Sequence, residues 1–80
     1  KQLALNDVYG RLRLLLDSMA QPAPDGGRVI QERLTHQEMA HRLGCSREMV
    51  SRLLKDLERG RYLVTDGATL RLAASLPPQW

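Results

Sequence analysis

Residues 35–60, THQEMAHRLGCSREMVSRLLKDLERG, decide the fold. Thr35 followed by Glu38 is a T-x-x-E capping box, which gives a first helix a marked start. Gly44 supplies the permissive backbone for a sharp turn, and Cys45 follows it as a small residue suited to burial. Ser46 can cap a second helix, and Gly60 stands where a C-terminal cap is expected. Val50, Leu53, Leu54 and Leu57 keep the i, i+3, i+4, i+7 rhythm of one helical face. Ala40 is small where the two helices must cross closely. These signals predict a helix of about eight residues, a turn of about three and a longer second helix, which is a helix-turn-helix.

The opposite face of the second helix carries Arg47, Glu48, Ser51, Arg52 and Lys55. An amphipathic helix with a merely solvated charged face would look similar, but the preceding capped helix and turn favour a helix built to lie in the major groove of DNA. Arg47 and Arg52 can each offer two donors to guanine O6 and N7, and Glu48 can accept from cytosine N4. Five positions separate the arginines, about 7.5 Å along the axis. A Glu48 to Arg52 pair at i, i+4 is the simpler use of those two residues, worth a few tenths of a kcal/mol, and would also orient both side chains. Helix N-termini attract phosphate, so Thr35, Gln37 and Ser46 become candidate backbone contacts, with Ser51 and Lys55 flanking the reading face.

Composition sets bounds around this. Eighty residues make one small domain that buries roughly 60% of its unfolded surface. Twelve basic residues against nine acidic give a net charge of +3, and ten of the twelve are arginine, Lys1 and Lys55 being the others. That mild bias suits a polyanion without proving one. A single cysteine excludes an internal disulfide and points to a reducing cytoplasm. No apolar run approaches a membrane span, and no leader pattern opens the chain. The chain starts at Lys1 rather than Met, as a fragment of a longer protein would.

Working outward, Asn6 offers an N-cap with Asp7 in the first turn, and Val8, Leu12, Leu15, Leu16 and Met19 form the apolar stripe of a helix to about Ala20. Gln21 to Gly27, QPAPDGG, reads as a surface loop. Arg28 to Leu34 alternates as a short strand. Tyr62 to Thr65, the Asp66-Gly67 turn signal and Thr69 to Leu72 predict a hairpin. With the short strand it would form a small antiparallel sheet, giving a mainly α winged helix-turn-helix. Arg61 and Arg71 lie on or beside this wing, as phosphate contacts or as solubilising charges. The expected division is 1–5 as the end of a linker, 6–72 as the DNA-binding domain and 73–80 as a tail, where Trp80 should find a surface to cover.

The run LTHQEMAHRLGCSREMVSRLLKDLE resembles the helix-turn-helix of the cyclic-AMP receptor protein and FNR superfamily of bacterial transcription regulators, whose signature is close to T-x-Q-E-(hydrophobe)-A-x-x-(hydrophobe)-G-C/x-S-R-E-T-V-x-R-x-L-K-x-L-E. Weaker similarity extends from DVYGRL to the hairpin. The resemblance implies that Arg47, Glu48 and Arg52 read G·C pairs in half-sites resembling TGTGA, and it supports Thr35, Gln37 and Ser46 as phosphate contacts. It also implies a homodimer on palindromic double-stranded DNA, with RNA polymerase a further candidate partner. Residues 1–5 would follow a dimerisation helix, and an absent N-terminal domain would bind a cyclic nucleotide or another effector, leaving no cofactor in this domain. Met49 departs from the family's usual Thr; it cannot donate to phosphate, and either meets a thymine methyl or packs inward.

Two rival readings stand beside this one. Catalysis would need His36, His41 and Cys45, whose spacing matches no zinc signature, so neither catalytic nor metal-binding residues are expected; both histidines read as exposed structural residues. A winged helix used as a protein-interaction module without sequence reading is the alternative function.

Overall fold

A computed structural model describes residues 5–32, 34–66, 69–73, 76 and 77. Three helices and four short strands follow one another: α1 (Leu5–Met19), β1 (Gln21–Pro22), β2 (Arg28–Ile30), α2 (His36–Leu43), α3 (Arg47–Arg59), β3 (Leu63–Asp66) and β4 (Thr69–Leu72). The strands form an antiparallel sheet in the order β1-β2-β4-β3. This is the expected mainly α winged helix-turn-helix.

The core is where the periodicities place it. Val50, Leu53, Leu54 and Leu57 of α3 are buried against Met39, Ala40 and Leu43 of α2 and Val8, Leu12 and Leu16 of α1. Tyr9 joins them, although its residue type gave no such signal. Pairing of Leu63 with Leu72 and of Ile30 with Leu70 turns one sheet face onto the helices. Val64 and Arg71, paired with each other, lie on the outer face.

Several expectations need correction. Leu5 is already helical, so Asn6 lies inside α1 rather than capping it; a residue able to cap does not force a start when the residue before it is also helical. The 21–27 stretch is not simply a loop, because Gln21 and Pro22 pair with Val29 and Arg28 and so add an edge strand. Proline is tolerated at such an edge. Asp25 closes the turn by accepting from the Gly27 amide at 3.1 Å, and it forms an ion pair with Arg71. The strand expected over 28–34 stops at Ile30, because β4 supplies partners only to Arg28, Val29 and Ile30 before the chain leaves to start α2. In the wing, Asp66 is a paired strand residue opposite Thr69. The turn signal's Gly67 lies outside the described residues, as do residues 1–4 and Trp80.

The end of α3 departs from expectation in a physically informative way. Gly60 has φ −80°, within reach of any residue, and Arg61 takes the left-handed position at φ 64°. Arg61 N–H donates to the Glu58 carbonyl and Tyr62 N–H to the Leu57 carbonyl, the paired bonds of a Schellman motif. Glycine is needed at 60 for space, since a Cβ there would lie 2.8 Å from the Tyr62 ring. Relieving the left-handed arginine should therefore help: Arg61→Gly is expected to stabilise the domain by about 0.5–1 kcal/mol, read as a higher thermal midpoint. An unchanged or lower midpoint would contradict this.

Long-range polar contacts fasten the periphery. Arg11 Nη1 donates to the Leu43 carbonyl at 3.1 Å, tying α1 to the exposed end of α2. Arg28 donates to Asp17 at 2.7 Å and to the Ala73 carbonyl at 3.2 Å. Past β4 the chain folds back: Leu76 is buried in the core, and the Tyr9 hydroxyl donates to the Pro77 carbonyl at 2.7 Å.

Candidate nucleic-acid interface

The helix-turn-helix is built as its local signals require. Thr35 Oγ1 accepts from the Glu38 amide at 3.0 Å, and Glu38 Oε1 accepts from the Thr35 amide at 3.1 Å, completing the capping box. Gly44 takes φ 72°, where a Cβ would be strained, and its amide donates to the Ala40 carbonyl. Ser46 Oγ accepts from the Met49 amide at 3.2 Å and starts α3. Ala40 is fully buried at the crossing of α2 and α3.

The Thr35 amide hydrogen bond holds the Glu38 carboxyl below the usual glutamate range. A depressed carboxyl contributes stability above its unfolded pKa and loses it as pH falls through the folded value, so α2 should loosen below the ordinary glutamate value of about 4.3. Thr35→Ala should cost about 1 kcal/mol in urea unfolding at neutral pH. Glu38→Gln should flatten the acid limb of stability against pH, and an unaltered limb would contradict the role of this box.

The outer face of α3 is free. Arg47, Glu48, Arg52 and Lys55 are exposed, and none makes a hydrogen bond or ion pair among the described residues. The i, i+4 pair considered for Glu48 and Arg52 is absent. Other arginines have structural work: Arg11, Arg13, Arg28 and Arg71 hold the Leu43 carbonyl, Asp17 and Asp25. Arg71 is thus committed to the 23–27 turn.

Thr35, Gln37 and Ser46 lie exposed at the N-termini of α2 and α3. In Thr35 and Ser46 the capping bond uses an acceptor lone pair, which leaves the hydroxyl proton to donate outward. Ser51 is half-buried and shares a 2.8 Å hydrogen bond with His36 Nδ1, fastening the start of α2 to α3. Sequence reasoning missed that pairing, since only the crossing of the helices brings positions 36 and 51 together. Met49 packs inward against the core. Cys45 is half-buried and its thiol is pushed up by that burial. No group of three His, Cys, Asp or Glu among the described residues could hold a metal ion, and no described helix is long and apolar enough to cross a membrane.

A capped first helix, a left-handed glycine turn, a second helix with one buried and one free cationic face, and an adjoining hairpin define a winged helix-turn-helix protein of the kind that presents α3 outward. Residues 10–74 match the model of the Crp-like helix-turn-helix domain, and the chain belongs to that family. It is 45% identical over 73 residues to the cAMP-activated global transcriptional regulator Vfr of Pseudomonas aeruginosa, covering 85% of this chain and 33% of that protein. Identity to the cAMP-activated global transcriptional regulator CRP of Salmonella typhimurium is 41%, with the same coverage. The chain thus spans about a third of the length of these curated relatives. They are transcriptional regulators, in keeping with a chain read as no enzyme.

Among solved structures, reduced CprK without ligand superposes with a TM-score of 0.67 at 19% identity, covering 89% of this chain and 35% of that one. A CRP/FNR-family transcriptional regulator from Thermus thermophilus gives 0.56 at 23% identity, covering 98% and 37%. Both likenesses concern the fold.

Proposed function

We propose that this chain is the sequence-specific, double-stranded-DNA-binding domain of a bacterial transcription regulator acting in the cytoplasm. The observation that carries the reading is the outer face of α3, where Arg47, Glu48, Arg52 and Lys55 are exposed and unpaired while the opposite face forms the core. The reading unit is residues 6–72. In the major groove Arg47 and Arg52 address guanines and Glu48 a cytosine, within half-sites resembling TGTGA. Thr35, Gln37, Ser46, Ser51 and Lys55 hold phosphates and fix the register. One short helix reads too few base pairs to find a promoter, so the parent protein works as a homodimer on a palindrome with half-sites about one helical turn apart. RNA polymerase is a further partner of that parent. Its effector, a cyclic nucleotide in keeping with the cAMP-activated relatives, binds outside this domain.

Fluorescence anisotropy over a salt series tests the proposal, comparing a duplex with two TGTGA-like half-sites against a scrambled duplex. Salt-sensitive binding to both with a clear preference for the first is expected. Equal affinities would contradict base reading, and no binding at low salt would favour a protein-interaction module.

A further inference from the structure

Beyond the reading face, α3 continues into a groove that neither the capping geometry nor base reading explains. Its walls are His36 at the start of α2 and Ser51, Arg52, Lys55 and Arg59 along α3. Arg59 follows Arg52 by seven residues, which returns it to nearly the same side of the helix about 10 Å further along. It lies four residues, about 6 Å, beyond Lys55. Arg59 is exposed and makes no hydrogen bond or ion pair among the described residues.

Two acidic residues, Asp56 and Glu58, share the groove with the three cations Arg52, Lys55 and Arg59. Glu58 accepts from the Thr65 hydroxyl of the wing at 3.3 Å, and Asp56 is half-buried, with no ion pair to Arg59 three residues on. The 2.8 Å bond between His36 and Ser51 closes the groove at its α2 end, beside Thr35 and Gln37. The three cations outnumber the two carboxylates, and they follow one another along α3 from Arg52 past Lys55 to Arg59 in its last turn.

We propose that Arg59 is a further DNA-positioning residue: the phosphodiester strand that meets Thr35 and Gln37 continues along this groove, and Arg59 holds a phosphate beyond the one held by Lys55. This rests on the DNA-binding reading above and lengthens the backbone footprint without touching a base. Phosphate contacts weaken binding uniformly when lost and carry a salt signature, whereas base contacts alter the preference between sequences.

The test is a salt titration of the 80-residue chain and its Arg59→Ala, Arg59→Lys and Arg13→Ala variants on the TGTGA-like and scrambled duplexes. Arg13→Ala removes one positive charge from α1 and serves as the charge-matched control. Arg59→Ala should weaken both duplexes by one common factor and reduce the steepness of log K against log salt by about 0.9. Its deficit at 50 mM salt should accordingly be about 3.5-fold larger than at 200 mM. Arg59→Lys should recover most of the slope. A slope for Arg59→Ala equal to that of Arg13→Ala would overturn the proposal, as would a loss confined to the TGTGA-like duplex. If the unaltered chain binds both duplexes equally while Arg59→Ala still lowers the slope, base reading fails and this contact stands.

Discussion

Leu57→Ala is expected to remove about 2–5 kcal/mol of stability. Leu57 is fully buried in the last turn of α3, inside the cluster that α1, α2 and the sheet share. Its carbonyl also accepts the Tyr62 amide that closes the helix, so loosening here reaches the start of the wing. An 80-residue domain holds roughly 4–12 kcal/mol in all. One truncated leucine therefore takes a large share of it. Urea unfolding followed by circular dichroism should show a much lower midpoint. A midpoint within error of the unaltered chain would mean that the face of α3 taken here as core is not the one that holds the domain together.

Arg52→Ala should have the opposite profile, with stability untouched and discrimination between DNA sequences lost. Arg52 is exposed and makes no hydrogen bond or ion pair among the described residues, so its removal leaves no buried group unsatisfied. Its two parallel donors are nevertheless suited to a guanine edge, a contact worth about 1–3 kcal/mol of discrimination, or roughly 5- to 150-fold between cognate and scrambled duplex. Arg47→Ala should behave alike. Retained preference in either variant, with an unchanged melting temperature, would remove that residue from the reading set.

The helix-turn-helix was legible because its determinants are local. Thr35 and Glu38 are three residues apart and find each other within one turn, as do Ser46 and the Met49 amide. Gly44 carries its conformational freedom with it. The apolar rhythm of α3 translated directly into burial, and the charged residues between those positions emerged on the free face.

The misses share a different cause, partners distant in sequence. Tyr9 meets Pro77 across 68 positions, and Arg71 meets Asp25 across 46. Nothing in QPAPDGG announces that Gln21 and Pro22 will pair with β2, because a two-residue edge strand has no period to detect. Gly60 was a sound signal for a helix end and a poor guide to its geometry. The crowding of the Tyr62 ring decides residue 60, and the left-handed turn passes to Arg61. The groove reaching Arg59 was equally hidden, since His36 and Ser51 come together only through the crossing of α2 and α3.

The claim that the outer face of α3 and the N-termini of α2 and α3 form the DNA interface is tested most directly by amide chemical-shift mapping. The isotope-labelled domain would be titrated at low salt with a duplex carrying TGTGA-like half-sites. The largest shifts should fall on Thr35 to Gln37 and on Ser46 to Lys55, with the exposed face of α1 and the 23–27 turn unmoved. Shifts concentrated on α1 or on that turn, with α3 silent, would contradict the account.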